Sequence, residues 1–129
     1  MYTMMQACRE LNLPYETLKF YCNQGLVPNV KRDKNNRRIF DEKDIKWIKD
    51  LTCLKKCGMS IQEMKTYLEL CLQGESTILQ RKEMLARKQA ELQASLQELK
   101  DSIAYIDWKQ NFYDEILSGK KPYVSNLIR

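Results

Sequence analysis

Residues 3–40 read TMMQACRELNLPYETLKFYCNQGLVPNVKRDKNNRRIF, and this stretch decides the fold of the first half of the chain. Helical patterns occupy about 4–11 and about 15–24, and residues 12–14 (Asn-Leu-Pro) form a turn between them. Gly25 follows the second pattern, at the position where a helix commonly ends in a left-handed residue. The stretch therefore predicts two short helices joined by a tight turn.

The rest of the stretch predicts a short basic β-hairpin. Leu26-Val27-Pro28 and Arg38-Ile39-Phe40 flank a polar segment centred on Asn35-Asn36, and asparagine tolerates the left-handed conformation of tight turns. Five basic residues against Asp33 alone give residues 29–40 a charge of +4, most of the chain's +5. These basic residues are Lys31, Arg32, Lys34, Arg37 and Arg38.

Further helix start and stop signals predict three more helices, at about 42–57, 61–73 and 75–118. The start signals are capping boxes at Thr3-x-x-Gln6 and Ser60-x-x-Glu63 and an N-cap at Asp41, and the further stop signals are Gly58, Gly74 and Gly119. We expect a domain over 1–73, a single long helix over 74–118 and a tail over 119–129.

The last helix carries an apolar residue at every seventh position, which is typical of a coiled-coil seam. A solitary helix of this length cannot bury such a seam on a small domain, so self-association is expected. The alternative is an ordinary long amphipathic helix packed within one chain. The predicted seam is Ile78, Leu85, Leu92, Leu99 and Ile106, with Leu96 and Ile103 at companion positions.

Composition excludes several classes of protein. The chain has 129 residues, enough for one small domain with an extension, and no histidine, so neither a Ser-His-Asp relay nor a His metal ligand is available. We expect no catalytic activity, no cofactor and no metal. The five cysteines form no C-x-x-C pair, and neither a signal peptide nor a membrane-spanning run is evident. These features predict a cytoplasmic protein with reduced thiols.

Two short helices, a tight turn and a basic hairpin describe a winged helix-turn-helix, whose second helix lies in the major groove of DNA. The predicted fold class is thus all-α with a small β wing. Predicted DNA contacts are Thr17, Lys19 and Tyr21 from the helix and Lys31, Arg32, Arg37 and Arg38 from the wing. The alternative is a coiled-coil interaction or scaffold protein whose basic hairpin is only a soluble surface.

Residues 2–72 resemble the MerR family of bacterial transcription regulators. The resemblance lies in an ordered series of motifs: Tyr2-Thr3, Thr17-Leu18-Lys19-Phe20-Tyr21, Gly25-Leu26-Val27-Pro28, Arg38-Ile39-Phe40-Asp41 with Asp44-Ile45, and Gly58-Met59-Ser60-Ile61 with Glu63. It implies a homodimer joined by an antiparallel coiled coil, which bends and untwists promoter DNA so that RNA polymerase can read it. Arg38 matches the family's phosphate-contacting arginine. Lys19 stands where the family usually has arginine, and Asn36-Arg37 replaces its glycine-tyrosine.

Within that family, the chain is similar to the aldehyde- and nitrosative-stress-responsive (AdhR/NmlR-like) subgroup, whose cysteine Cys53 matches. On a helical wheel Cys53 and Cys57 lie one turn apart, on the flank of an apolar stripe. Cys53 is therefore the candidate sensor, with Cys57 as its neighbour. The alternative is that both are small core residues. A thiol enzyme is a further alternative, but it would need a base to activate the sulfur.

Overall fold

The computed structural model describes residues 1–128 and is mainly helical. Strand β1 (Tyr2–Thr3) precedes helices α1 (Met4–Leu11) and α2 (Tyr15–Asn23), and strands β2 (Lys31–Arg32) and β3 (Arg38–Phe40) follow. The chain continues through α3 (Glu42–Lys56), α4 (Ile61–Gln73), one turn of 3-10 helix (Glu75–Thr77) and α5 (Ile78–Leu117). The predicted fold class is confirmed: a helical chain with a small β wing and a long last helix.

Side chains at the predicted start signals cap the helices. Thr3 and Ser60 each accept a hydrogen bond from a backbone N–H of the first helical turn, and both capping boxes are complete. Asp41 caps α3 and also forms a capping box, in which the carboxylate of Asp44 accepts from the Asp41 N–H at 2.9 Å. Local side chain–backbone bonds therefore set where three helices begin.

The wing belongs to a three-stranded antiparallel sheet in the order β1-β3-β2. Tyr2 pairs with Phe40, and Lys31 pairs with Ile39. Sequence analysis predicted the hairpin but not β1, because two residues are too few to show the alternating pattern of a strand. The added strand ties the wing to the start of α1.

The hydrophobic core lies among the first four helices and the sheet. Its largest fully buried side chains come from α2, β3, α3, α4 and the loops after α2 and α3, and Ala7 and Cys8 of α1 complete the same cluster. These largest side chains are Leu18, Leu26, Phe40, Ile48, Leu51, Met59 and Met64.

Hydrogen bonds fix the junction between α4 and α5. The Thr77 hydroxyl, 3% exposed, lies within hydrogen-bond reach of the Leu70 and Gly74 carbonyls. Arg81 donates through Nη2 to the Gly74 carbonyl at 2.7 Å and through Nε to Thr77 Oγ1 at 3.1 Å. About two turns further on, Lys88 pairs with Glu63 at 3.2 Å. The bonds from Thr77 and Arg81 satisfy carbonyls at the end of α4 that the helix itself leaves open.

Contacts along the backbone divide the chain into two compact units, residues 1–88 and the remainder from Gln89 onward. The first contains the sheet, four helices and the first turns of α5, and the second contains the rest of α5 and the tail. No helix within residues 1–128 is long and apolar enough to cross a membrane.

Candidate nucleic-acid interface

Helix α2 presents one face to the core and another to the surroundings. Leu18 is completely buried and Tyr21 is 3% exposed, whereas Lys19 and Phe20 are exposed and Thr17 is half-buried. The i, i+3 spacing of Leu18 and Tyr21 places both side chains against the core. Tyr21 is therefore a packing residue, and the solvent-facing side of α2 carries Lys19 and Phe20, whereas Thr17 lies at the flank of the packed face.

The tip of the wing is shaped by the one acidic residue in it. The carboxylate of Asp33 accepts the backbone N–H groups of Asn35 and Arg37, both at 2.9 Å. Asn36 adopts the left-handed conformation, with φ 60°, as predicted for this tight turn. Both bonds go to Oδ1, and within the described residues no ion pair joins Asp33 to a neighbouring cation. With Asp33 counted as negative, residues 29–40 still carry a charge of +4.

Apart from Lys19 on α2, the basic side chains predicted to contact DNA lie together on the wing. Lys31, Arg32 and Arg37 are exposed, and Arg38 is half-buried. Arg32 donates to the Asn36 carbonyl at 3.0 Å, which holds its guanidinium across the hairpin. A row of cations on a hairpin suits contact with a phosphate backbone.

Arg38 joins the wing to α2. Its Nη2 donates to Oδ1 of Asn23, the last residue of that helix, at 2.7 Å. Arg38, Arg37 and Arg32 line a groove of about 530 Å³ whose other side includes Tyr15. The structure thus brings the arginines of the wing next to the exposed end of a short helix. Sequence analysis did not single out Asn23, because nothing local marks a residue whose partner lies 15 positions away.

The base of the wing is held by charge. Lys31 pairs with Asp41 at 3.2 Å. The Asp44 backbone N–H bonded to the Asp41 carboxylate is the main cause that lowers the pKa of Asp41, and Lys31 adds to it. Burial raises the pKa of Asp44, which is 5% exposed. The last strand of the wing, β3, is therefore followed directly by a capped start of α3, and an ion pair ties that start to β2.

Helix α3 is anchored behind the interface by Trp47. Its indole N–H donates to the Leu26 carbonyl at 2.7 Å, and its ring stacks on Tyr67 at 6.4 Å between centroids. Leu26 lies immediately after the turn that ends α2. The indole therefore fixes the loop between the helix and the wing, a role that sequence analysis did not assign.

The five cysteines lie in different surroundings. Cys53 is exposed on α3, and Cys57, the residue that ends this helix, is half-buried. Burial raises the pKa of Cys8 and of Cys22, and Arg38 partly offsets the rise at Cys22. Cys71 is half-buried, with its sulfur 3.9 Å from Arg81 Nη1. Residues 1–128 hold no group of three or more side chains able to bind a metal ion.

Apolar side chains of the predicted seam are exposed in the single chain. No residue of α5 is buried, and the exposed fraction rises from 40% at Leu85 to 67% at Ile103. The other seam residues, Ile78, Leu92, Leu96, Leu99 and Ile106, lie between these values. An apolar series of this length left open to water is typical of an interaction surface.

Comparison with known proteins agrees with this arrangement. The family model described as MerR HTH family regulatory protein matches residues 2–71, and the model described as MerR, DNA binding matches residues 46–108. An HTH-type transcriptional regulator of Haemophilus influenzae is 33% identical over 114 residues, which cover 88% of this chain and 84% of that protein. The Bacillus subtilis regulator AdhR is 37% identical over 87 residues, covering 67% of this chain and 62% of AdhR.

Solved structures show the same fold. HiNmlR, a MerR family regulator lacking the sensor domain and bound to promoter DNA, matches with a TM-score of 0.73 at 32% identity, covering 91% of this chain and 93% of its own. A putative MerR family regulator from Listeria monocytogenes matches with a TM-score of 0.79 at 26% identity, covering 93% and 91%. The chain therefore belongs to the MerR family of helix-turn-helix, DNA-binding transcriptional regulators.

Proposed function

We propose that this protein is a homodimeric regulator that binds promoter DNA through two winged helix-turn-helix domains. The observation that carries the proposal is the placement of Lys19 and the basic wing, joined by the 2.7 Å bond from Arg38 to Asn23. An exposed helix flanked by a positive hairpin can reach base edges and phosphates together. The likeness to HiNmlR, whose structure is of a promoter complex, supports the same partner here.

The dimer is proposed to form through α5. Its 40 residues give a helix of about 60 Å whose apolar seam is exposed in one chain. A second copy in antiparallel orientation covers that seam and sets two DNA-binding domains on successive major grooves. We assign DNA binding to residues 1–73 and dimerisation to residues 74–118, and we leave residues 119–129 as a tail.

The mechanism we propose is deformation of the promoter. A dimer whose two DNA-binding domains are held at a fixed separation binds best to DNA that is bent and untwisted to fit both domains. Contacts at the two half-sites offset the elastic free energy of bending the DNA, which is about 1–6 kcal/mol. In the deformed DNA, RNA polymerase can then contact the two promoter sequences that it recognises. Because promoter DNA is its proposed partner, we expect the protein to act in the cytoplasm.

Arg38→Ala is expected to weaken DNA binding on every sequence by about tenfold and to reduce the slope of log affinity against log salt by about one. Arg38 is proposed to contact phosphate, which carries no sequence information, so the loss is uniform. The measurement is a mobility shift of a promoter fragment over a salt series, with footprinting on a pseudo-palindromic site.

Asn23→Ala is the matched control, because it removes the partner of Arg38 and keeps the charge. Its salt slope should stay at the wild-type value. An unchanged slope in Arg38→Ala would remove the wing from the DNA contacts. Weak binding of the wild-type protein to all fragments, without a footprint, would favour the scaffold alternative.

Cys53 is the residue that we propose responds to electrophiles or oxidants. It is the exposed cysteine of the chain, on a helix that also carries exposed lysines one turn away at Lys49 and Lys56. Exposure allows a reagent to reach the sulfur, whereas burial protects Cys8. Similarity to AdhR covers the region that contains this residue at 37% identity.

Cys53→Ser is expected to abolish induction of a reporter gene by aldehydes or nitrosative agents and to leave promoter affinity within about twofold of wild type. Serine keeps the size and loses the nucleophile, so only the response should change. Cys57→Ser and Cys8→Ser are the controls and should still respond. Full induction in Cys53→Ser would place sensing at another residue.

A further inference from the structure

The segment after α5 folds back against the last turns of that helix. Gly119 takes a φ of 82°, and the Lys120 N–H donates to the Glu115 carbonyl at 2.9 Å. Lys121 pairs with the Glu115 carboxylate at 2.8 Å, which lowers the pKa of Glu115. The left-handed residue and the ion pair reverse the chain, so that residues 123–127 lie beside α5.

A groove of about 260 Å³ lies between the returning tail and the helix. Phe112 and Tyr113 line it from α5, and Tyr123, Val124 and Leu127 line it from the tail. Tyr123 is 65% exposed and Val124 is 73% exposed, so the walls carry apolar surface that is still in contact with water. An occupant with a flat apolar body would bury this surface.

Among residues 1–128, Lys109 is the only charged residue that lines the groove. Its Nζ lies 5.4 Å from the ring centroid of Tyr113, 5.5 Å from that of Phe112 and 5.8 Å from that of Trp108. The residue is half-buried, and no carboxylate within residues 1–128 forms an ion pair with it. A partly desolvated ammonium among aromatic rings favours an anion, because a charged hydrogen bond is stronger where water is reduced.

We propose that this groove is a binding site for a small planar aromatic carboxylate. Its volume lies just below the range of about 300–1,000 Å³ usual for ligand pockets, which suits a molecule of one or two fused rings. The ring packs between Tyr113 and Tyr123, and the carboxylate pairs with Lys109. The site lies wholly in the second unit and uses neither the wing nor Cys53, so it stands independently of the DNA-binding proposal.

The test is calorimetric titration of the full-length protein with 2-naphthoate and with 2-naphthamide, which has a similar shape but no charge. We expect naphthoate to bind about tenfold more tightly than the amide, and this preference to fall as salt is added. Lys109→Met should remove the preference. Lys100→Met, which changes an exposed lysine elsewhere on α5, should keep it.

Equal affinity of the wild-type protein for both probes, or no binding of naphthoate at millimolar concentration, would overturn the proposal. So would an undiminished preference in a Lys109→Met variant whose helical circular dichroism matches the wild type. Tyr123→Ala should weaken both probes alike. If Tyr123→Ala instead shifts the dimer to monomer in sedimentation and naphthoate does not bind, the groove is a contact between copies and not a ligand site.

Discussion

Replacing Phe40 by alanine should lower the free energy of unfolding by about 3–5 kcal/mol. The Phe40 side chain is completely buried, and its backbone pairs with Tyr2 in the sheet that carries the wing. Deletion of the ring leaves a cavity where β3 meets the core. Since small domains are stabilised by about 5–15 kcal/mol in total, a large part of the stability of the DNA-binding region would be lost.

The measurement is urea unfolding followed by circular dichroism at a fixed protein concentration, because association contributes to the apparent stability of a dimer. Phe20→Ala is the matched control, since this phenylalanine is 44% exposed on α2. It should cost about 1 kcal/mol or less. Equal losses in the two variants would mean that the ring of Phe40 is not the packing residue described here.

Glutamate at both Leu92 and Leu99 should convert the dimer to monomers and lower promoter affinity by about a hundredfold or more. The two side chains are 44% and 62% exposed in the single chain, so the substitutions place no charge in the core of one protomer. In the proposed dimer they put four carboxylates into an apolar seam, where uncompensated charge is strongly unfavourable. A monomer then binds with one winged domain and loses the second, tethered contact.

Sedimentation velocity gives the oligomeric state, and a mobility shift on a two-half-site fragment gives the affinity. Ala94→Glu is the control, because this exposed residue lies opposite the seam on the helical wheel. It should stay dimeric with wild-type affinity. An intact dimer in the double variant would show that the heptad series is not the dimer contact.

Much of the fold could be predicted because its signals are local. The capping box at Thr3 and the glycines at the ends of α2 and α4 mark boundaries that the structure reproduces to within one residue. Among the helices, the start of the last one differs by more than one residue, since Glu75–Thr77 form a 3-10 turn before α5 begins at Ile78. In the hairpin, the first strand is Lys31–Arg32 and not the predicted flank at Leu26-Val27-Pro28. Hydrogen bonds between a side chain and the backbone three or four residues away form locally and do not depend on the rest of the molecule.

The sequence was sufficient to predict which residues carry the positive charge of the candidate interface, but not which of the predicted side chains face outward. Charge and turn residues identified Lys31, Arg32, Arg37 and Arg38, all of which lie on the wing. The DNA contacts predicted from α2 included Tyr21, whose side chain the structure places in the core. A helical wheel gives the angle of a residue, but only the position of the neighbouring helices decides which angles face the core.

Local sequence signals thus specified the order of the helices and the hairpin, most of the helix ends and the position of the positive charge, because each depends on residues close in the chain. The tertiary structure alone decided the contacts between distant residues: β1 beside β3, Arg38 on Asn23, Trp47 on the Leu26 carbonyl, and the tail beside α5. These contacts arise when separate elements pack around one core, and no local preference specifies a partner 15 or more residues away.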